Sequence, residues 1–252
     1  MSLHRFFVAP DQIQNECVRL SGGQAHQICK VLRLSKGDHI LVLDNRGWQY
    51  ELVLTEIESS RVVGTVLLKQ LSPTEPTVHI TLYQSLLKRD NFEWVLQKGT
   101  ELGITSFVPI LTQRTVVRQN SLRENKLTRW QRILSEAAEQ SGRGQIPKLA
   151  QPVTFQAALQ EASSDFSIIP WENERANHIA AAFARAKPFA GQSDIPRISL
   201  LIGPEGGFSS DEIDQALTSG ITPVTLGPRI LRAETAAIVA ATLVLHELGE
   251  LK

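Results

Sequence analysis

Two short stretches near the C-terminal end hold the residues whose types and spacing could do chemistry. The first reads Leu201-Ile202-Gly203-Pro204-Glu205-Gly206-Gly207-Phe208. The second reads Leu226-Gly227-Pro228-Arg229-Ile230-Leu231-Arg232-Ala233-Glu234-Thr235. Each follows an apolar run and leads into a segment with helical spacing. Glycine lets a ligand approach the backbone closely and reaches positive φ without strain. Ser209 stands three residues before Glu212, a capping-box signature that starts a helix. The first stretch is therefore a strand, a glycine turn and a helix N-terminus. A ligand there would be held by backbone N–H and C=O groups and by apolar side chains such as Ile202, Leu226, Ile230 and Leu231. Arg229, Arg232 and Glu234 would stand at the rim. Such a lining suits an uncharged ring such as adenine better than a pyrophosphate. No GK[ST] follows the glycines, which excludes a P-loop. The GxGxxG fingerprint is absent, and the first βα turn (residues 85–90) has no glycine, which disfavours a dinucleotide oxidoreductase. No Ser-His-Asp or Cys-His nucleophile set is visible.

The two stretches lie about twenty residues apart, roughly one crossover unit of a parallel sheet. The pattern that must position them begins at Thr77. Residues 78–87 form a near-continuous apolar run, as in a strand buried on both faces. Residues 90–102 carry Phe92, Val95, Leu96, Gly99 and Leu102 on one helical face. A strand at 106–111, a long helix at 122–141, a short helix at 155–162, a strand at 166–170 and a helix at 177–186 follow. The last strands fall at 197–202 and 223–226, and a closing helix at 234–248. This alternation predicts an α/β domain with a mainly parallel sheet. The closing helix, with Ala236, Ile238, Val239, Leu243 and Val244, reads as core or as a subunit interface. Residues 187–196 read as a polar surface loop.

The first seventy residues have a different rhythm. Arg5-Phe6-Phe7-Val8 and Val18-Arg19-Leu20 are short β-prone runs, residues 24–34 have helical spacing, and residues 39–44, 49–57 and 61–68 alternate with period two. Short strands with one helix predict a small barrel. Ser72-Pro73-Thr74-Glu75-Pro76 reads as the boundary, giving domains 1–72 and 73–252.

The chain has 252 residues, 42% apolar and 21% charged, with zero formal net charge. That is the composition of a globular protein with a real core. Nucleic-acid affinity would have to come from a local basic face. Cys17 and Cys29 lack metal-binding or disulfide-framework spacing, which fits a reducing compartment. No run is long enough to span a bilayer, and residues 1–5 lack a signal-peptide pattern, so a cytoplasmic location with no membrane and no metal is expected. His26, Lys30 and Arg33 stand at i, i+4 and i+7, one face of a helix, and with Arg5 could contact phosphates. An ordinary solvated helix face has the same spacing. Gln113-Arg114-Thr115 and Arg118 follow the second strand of the α/β domain, where such folds place ligand contacts. Glu136, Glu139, Gln140, Ser141 and Arg143 cluster at the end of the long helix. A basic loop and ordinary helix C-terminal chemistry account for these two clusters equally well.

The two glycine stretches together resemble those of the RsmE family of SPOUT methyltransferases, and the resemblance extends along nearly the whole chain. It includes Arg5-Phe6-Phe7-Val8, His26 with Val31-Leu32-Arg33, Gln97-Lys98-Gly99-Thr100-Glu101-Leu102-Gly103, Gln113-Arg114, and Glu136-Ala137-Ala138-Glu139-Gln140-Ser141-Gly142-Arg143. Two departures are mild: Ala233 stands at a position usually polar, and residues 172–196 are longer than the family pattern. The resemblance implies a PUA-like N-terminal β-barrel and a C-terminal SPOUT domain with a trefoil knot. It also implies a homodimer with active sites at the subunit interface. The implied activity is methylation of uridine N3 in 16S rRNA of the small ribosomal subunit by S-adenosylmethionine. Carried over residue by residue, Ile202, Gly203, Pro204, Glu205, Gly206, Gly207, Leu226, Gly227, Ile230 and Leu231 would hold the cofactor. Arg232, Glu205 and Arg114 would serve catalysis, with Arg232 facing the base. Arg5, His26, Lys30, Arg33, Lys88, Arg114 and Arg143 would contact RNA. The alternatives are another rRNA or tRNA position, or a ribosome-assembly factor without activity.

Overall fold

The computed structural model describes residues 3–117, 124–186 and 195–251; Arg118 and most of the loop 187–196 lie outside the described residues. The chain divides into two units. One comprises Met1–Glu75 with Ser135–Ile146, the other Pro76–Leu134 with Pro147–Lys252. The first unit thus takes in a segment that a linear reading of the chain leaves in the second.

The first unit is a curled, six-stranded half-barrel. Its strands are β1 (Arg5–Phe7), β2 (Ile13–Gln14), β3 (Cys17–Ser21), β4 (His39–Leu43), β5 (Trp48–Ile57) and β6 (Arg61–Leu71), in the spatial order β1-β4-β5-β6-β3-β2. β1 runs parallel to β4, and the other pairs are antiparallel. Alternation sets the faces: Val18 and Leu20 are fully buried on β3, while Arg19 between them is exposed. The β5–β6 ladder shifts register between Glu51 and Leu52 and again between Leu54 and Glu56. Extra residues of this kind bend a strand pair and increase its twist, which curls the sheet. Gly64 lies under the bend, where a Cβ would stand 3.1 Å from Cβ of Leu52.

The helix expected at 24–34 begins as α1 (Gly22–His26) and widens into a π-type turn over Gln27–Val31. The Leu32 N–H donates to the Gln27 carbonyl five residues back (2.9 Å), and Arg33 takes φ +54°. Arg33 therefore stands beyond the helix. His26, Lys30 and Arg33 do not share one α-helical face, because the wider turn breaks the i, i+4, i+7 relation. All three are exposed.

The second unit is built on a parallel sheet. Its elements are β7 (His79–Ser85), α2 (Asn91–Leu102), β8 (Ser106–Leu111), α3 (Glu124–Ser141), β9 (Lys148–Leu149), β10 (Val153–Thr154), α4 (Phe155–Ala162), β11 (Phe166–Pro170), α5 (Ile179–Ala186), β12 (Arg197–Ile202), α6 (Ser210–Thr218), β13 (Thr222–Val224) and α7 (Ala233–Glu247). Only the residues of α3 before Ser135 belong to this unit. The spatial order is β10-β8-β7-β12-β11-β13, with β9 also on β8. Every pair is parallel. α4 and α6 cover one face through Phe155, Leu159, Ile213 and Ala216, packed on Tyr83, Val108 and Leu201. α7 packs on α2, α5 and β12, burying Ala237, Ala240, Ala241, Val244 and Leu245. At Gly99 on α2, a Cβ would stand 2.8 Å from both Ile104 Cδ1 and Phe107 Cζ, so the glycine permits a close approach of helix to sheet. α2 ends at Gly103 in the left-handed conformation (φ +113°), a common helix stop.

Within the first unit, the Phe7 N–H donates to Glu139 Oε1 (3.0 Å). Burial pushes the Glu139 carboxyl above its ordinary value. The Phe7 hydrogen bond opposes that shift, and the Glu136 carboxylate adds to it. An acid raised in the folded state favours folding fully below its unfolded value of 4.5, and this contribution is lost as pH rises through the elevated value. Glu139→Gln keeps an acceptor for Phe7 and removes the titration. Thermal melts from acid to neutral pH should show a flatter decline for the variant than for the parent; parallel profiles would contradict the assignment.

Candidate active site

The sheet order places the site. β11 lies between β12 and β13. The two glycine stretches leave the C-terminal ends of those flanking strands, so the residues after β11 emerge between them. In open parallel sheets, ligands bind in the crevice beyond the strand C-termini. A cleft occupies this place, lined by Ile202–Phe208, Thr225–Gly227, Arg229–Leu231, Ala233 and Ala236. Pro170, Trp171, Glu172 and Arg175 complete it.

Local chemistry fixes each wall. Ser209 caps α6: its Oγ accepts the Glu212 N–H (3.2 Å), and Glu212 Oε2 accepts the Ser209 N–H (2.9 Å). The other oxygen, Glu212 Oε1, accepts the Gln113 N–H (2.8 Å), so one buried carboxylate ties the glycine loop to the chain leaving β8. Next to it, Arg114 Nη1 donates to the carbonyls of Gly206 (2.8 Å) and Phe208 (3.4 Å). The Lys88 N–H donates to Glu205 Oε1 (2.8 Å). A Cβ on Gly203 would stand 3.2 Å from the Phe208 ring, which packs on Phe155. In the second loop the Gly227 N–H donates to Thr225 Oγ1 (3.2 Å), and Gly227 takes φ +108° with no heavy atom within 4 Å of its Cβ position. Its bare backbone faces open space, a cradle that a side chain would fill. Trp171 extends β11, its N–H donating to the Val224 carbonyl (3.0 Å).

Comparison with known proteins gives the family. A model of the RNA methyltransferase domain matches residues 73–245. The ribosomal RNA small subunit methyltransferase E of Synechocystis is 39% identical over 94% of this chain and 75% of its own length. The chain belongs to this family. The Bacillus subtilis protein of the same name is 30% identical, over 97% of each chain. A crystal structure of the Neisseria gonorrhoeae protein of that name, bound to S-adenosyl methionine, superposes with a TM-score of 0.83 at 29% identity, covering 97% of this chain and 98% of that one.

All ten side chains or glycines expected at the cofactor line the cleft, from Ile202 to Gly207 and from Leu226 to Leu231. Arg232 does not; it is the exposed N-cap of α7, one residue before Ala233. Lys88 is exposed beside the first loop. Glu205 and Arg114 hold backbone groups of the site. Arg5 is half-buried in the first unit, its Cζ 3.2 Å from the Cβ position of Gly142. Arg143 departs from its expected contact with RNA. It is 3% exposed, and its Nη2 pairs with Glu75 Oε2 (3.0 Å). Glu75 Oε1 also accepts the N–H groups of Gly144 (2.7 Å) and Gln145 (3.0 Å). A buried guanidinium with such a partner braces the chain after α3. Among the described residues, no helix is long and apolar enough to cross a membrane, and no cluster of three His, Cys, Asp or Glu side chains could hold a metal.

Sequence reading missed Trp171, Glu172 and Arg175. Their signal is spatial: they follow β11, and only the strand order brings that strand between the glycine loops. Glu172 explains Gly207 as well, since a Cβ there would stand 2.6 Å from Glu172 Oε1 at φ +67°. Gly206 has ordinary contacts only, with the Arg114 side chain at 3.4 Å. Gly207→Ala should therefore cost about 1–2 kcal/mol from left-handed strain alone, and Gly206→Ala much less. Denaturant unfolding of the two variants checks this, and equal losses would contradict it.

Proposed function

We propose that the chain methylates N3 of a uridine in 16S rRNA of the small ribosomal subunit, with S-adenosylmethionine as methyl donor. The observation that carries this reading is the cleft between the two glycine loops, in a chain whose Neisseria relative has a crystal structure bound to that cofactor. The residues fit the group. Apolar Ile202, Leu226 and Leu231 with the bare backbone of Gly227 suit a flat, uncharged purine. The cofactor supplies an electrophilic methyl group on a sulfonium that is already a good leaving group.

The protein's own work is then to position the base, exclude water and manage the imide proton. As uridine N3 loses its proton, negative charge spreads onto the pyrimidine carbonyls, and a guanidinium beside them stabilises it. Arg232 is the favoured residue. Arg114 is engaged with the carbonyls of Gly206 and Phe208, and Glu205 with the Lys88 N–H, so these two act by holding the loop. Arg5, His26, Lys30, Arg33 and Lys88 supply phosphate contacts in this reading. The assembly is a cytoplasmic homodimer, with the PUA-like unit presenting RNA and a knotted C-terminal domain holding the cofactor. Exposed Ile230 and Leu243 would be covered by the second copy.

Mass mapping of small-subunit rRNA from a strain lacking this chain tests the proposal. A single uridine should lose one methyl group and regain it with the wild-type gene, but not with Arg232→Ala. A missing methyl on another rRNA position or a tRNA would replace the target. No missing methyl would favour a ribosome-assembly factor. Full activity of the Arg232 variant would remove that residue from the mechanism.

A further inference from the structure

The cleft has charged lining residues that the adenosine reading leaves unused. Four of its lining residues are ionisable: Glu172, Arg175, Glu205 and Arg229. Glu205 is engaged with the Lys88 N–H. The next carboxylate along the chain from Glu172 is also engaged, because Glu174 Oε1 accepts the N–H groups of Arg175 (2.9 Å), Ala176 (2.8 Å) and Asn177 (3.0 Å). That three-bond turn curls the chain just after Glu172. On its other side, Trp171 is pinned to Val224, so Glu172 sits at a fixed place at the end of β11. Its carboxylate lies against the Gly207 backbone and has no ion-pair or hydrogen-bond partner among the described residues. It is thus the one carboxylate of the lining left available to a cationic ligand group.

We propose that Glu172 binds the ammonium of the cofactor's amino-acid tail and so selects the whole cofactor over its adenosine core. This rests on the methyl-donor reading above. S-adenosylmethionine carries two cationic centres, but the sulfonium has no hydrogen to donate. The ammonium offers three N–H donors, and a charge-assisted bond to a carboxylate is shorter and stronger than a neutral one. The tail also carries a carboxylate, and Arg175, three residues after Glu172, and Arg229, both in the lining, supply guanidinium groups of opposite sign. One carboxylate and two guanidiniums in the lining of an otherwise largely apolar and backbone-lined cleft match a zwitterion. The match also gives Gly207 a second reason to be glycine: a side chain there would push the carboxylate off its place.

Calorimetry on the full chain tests this with three ligands: S-adenosylmethionine, S-adenosylhomocysteine and 5′-methylthioadenosine, which lacks the tail. Glu172 is exposed, so Glu172→Gln should fold normally, and an unchanged melting temperature verifies it. The variant should bind the two tailed ligands about tenfold more weakly, the scale of a lost charged hydrogen bond, and 5′-methylthioadenosine as the parent does. Equal weakening of all three would place Glu172 at the adenosine and overturn the proposal. A loss confined to S-adenosylmethionine would place it at the sulfonium, and no change in any would remove it from the site; either overturns the proposal. A wild-type chain that binds none of the three overturns the methyl-donor reading itself, and the tail assignment with it.

Discussion

One buried carboxylate carries the arrangement of the cleft. Glu212 accepts the Ser209 N–H with one oxygen and the Gln113 N–H with the other. The first bond closes a capping box at the start of α6. The second reaches across the sheet to the segment after β8. A buried acceptor of this kind is costly to leave unpaired, so the two segments are held together whenever the unit is folded. Arg114 adds its clamp on the Gly206 and Phe208 carbonyls beside the same joint. Gly207, between these anchors, keeps its left-handed conformation (φ +67°), which glycine takes without strain.

The second constraint is topological. Because β11 lies between β12 and β13, the chain after β11 leaves the sheet between the two glycine loops. Three segments far apart in sequence then share one crevice. Two supply mostly backbone and apolar walls, and the third adds the carboxylate of Glu172. A division of this sort lets the same cleft hold a flat ring by shape and a charged tail by pairing.

Much of this was legible in the sequence, for local reasons. α4, β11 and β12 have the bounds that periodicity and turn residues give them. The Ser209–Glu212 capping box formed as its spacing implies. What was not legible depends on partners distant in the chain. Arg143 reads as a free cation until Glu75, far upstream, is placed against it. Glu172 reads only as the start of a stretch longer than the family pattern until the strand order puts it at the cleft. Arg33 fails for a subtler reason: residue spacing cannot show that a helix will switch to i→i+5 hydrogen bonding after one turn, and that switch moves everything beyond it.

We propose the crevice between the two glycine loops as the cofactor site. The most direct test is a crystal structure of the chain grown with S-adenosylmethionine. Adenine density is expected between residues 202–208 and 225–231, with the amino-acid tail beside Glu172. Cofactor density anywhere else on the chain, with this cleft left clear, would contradict it.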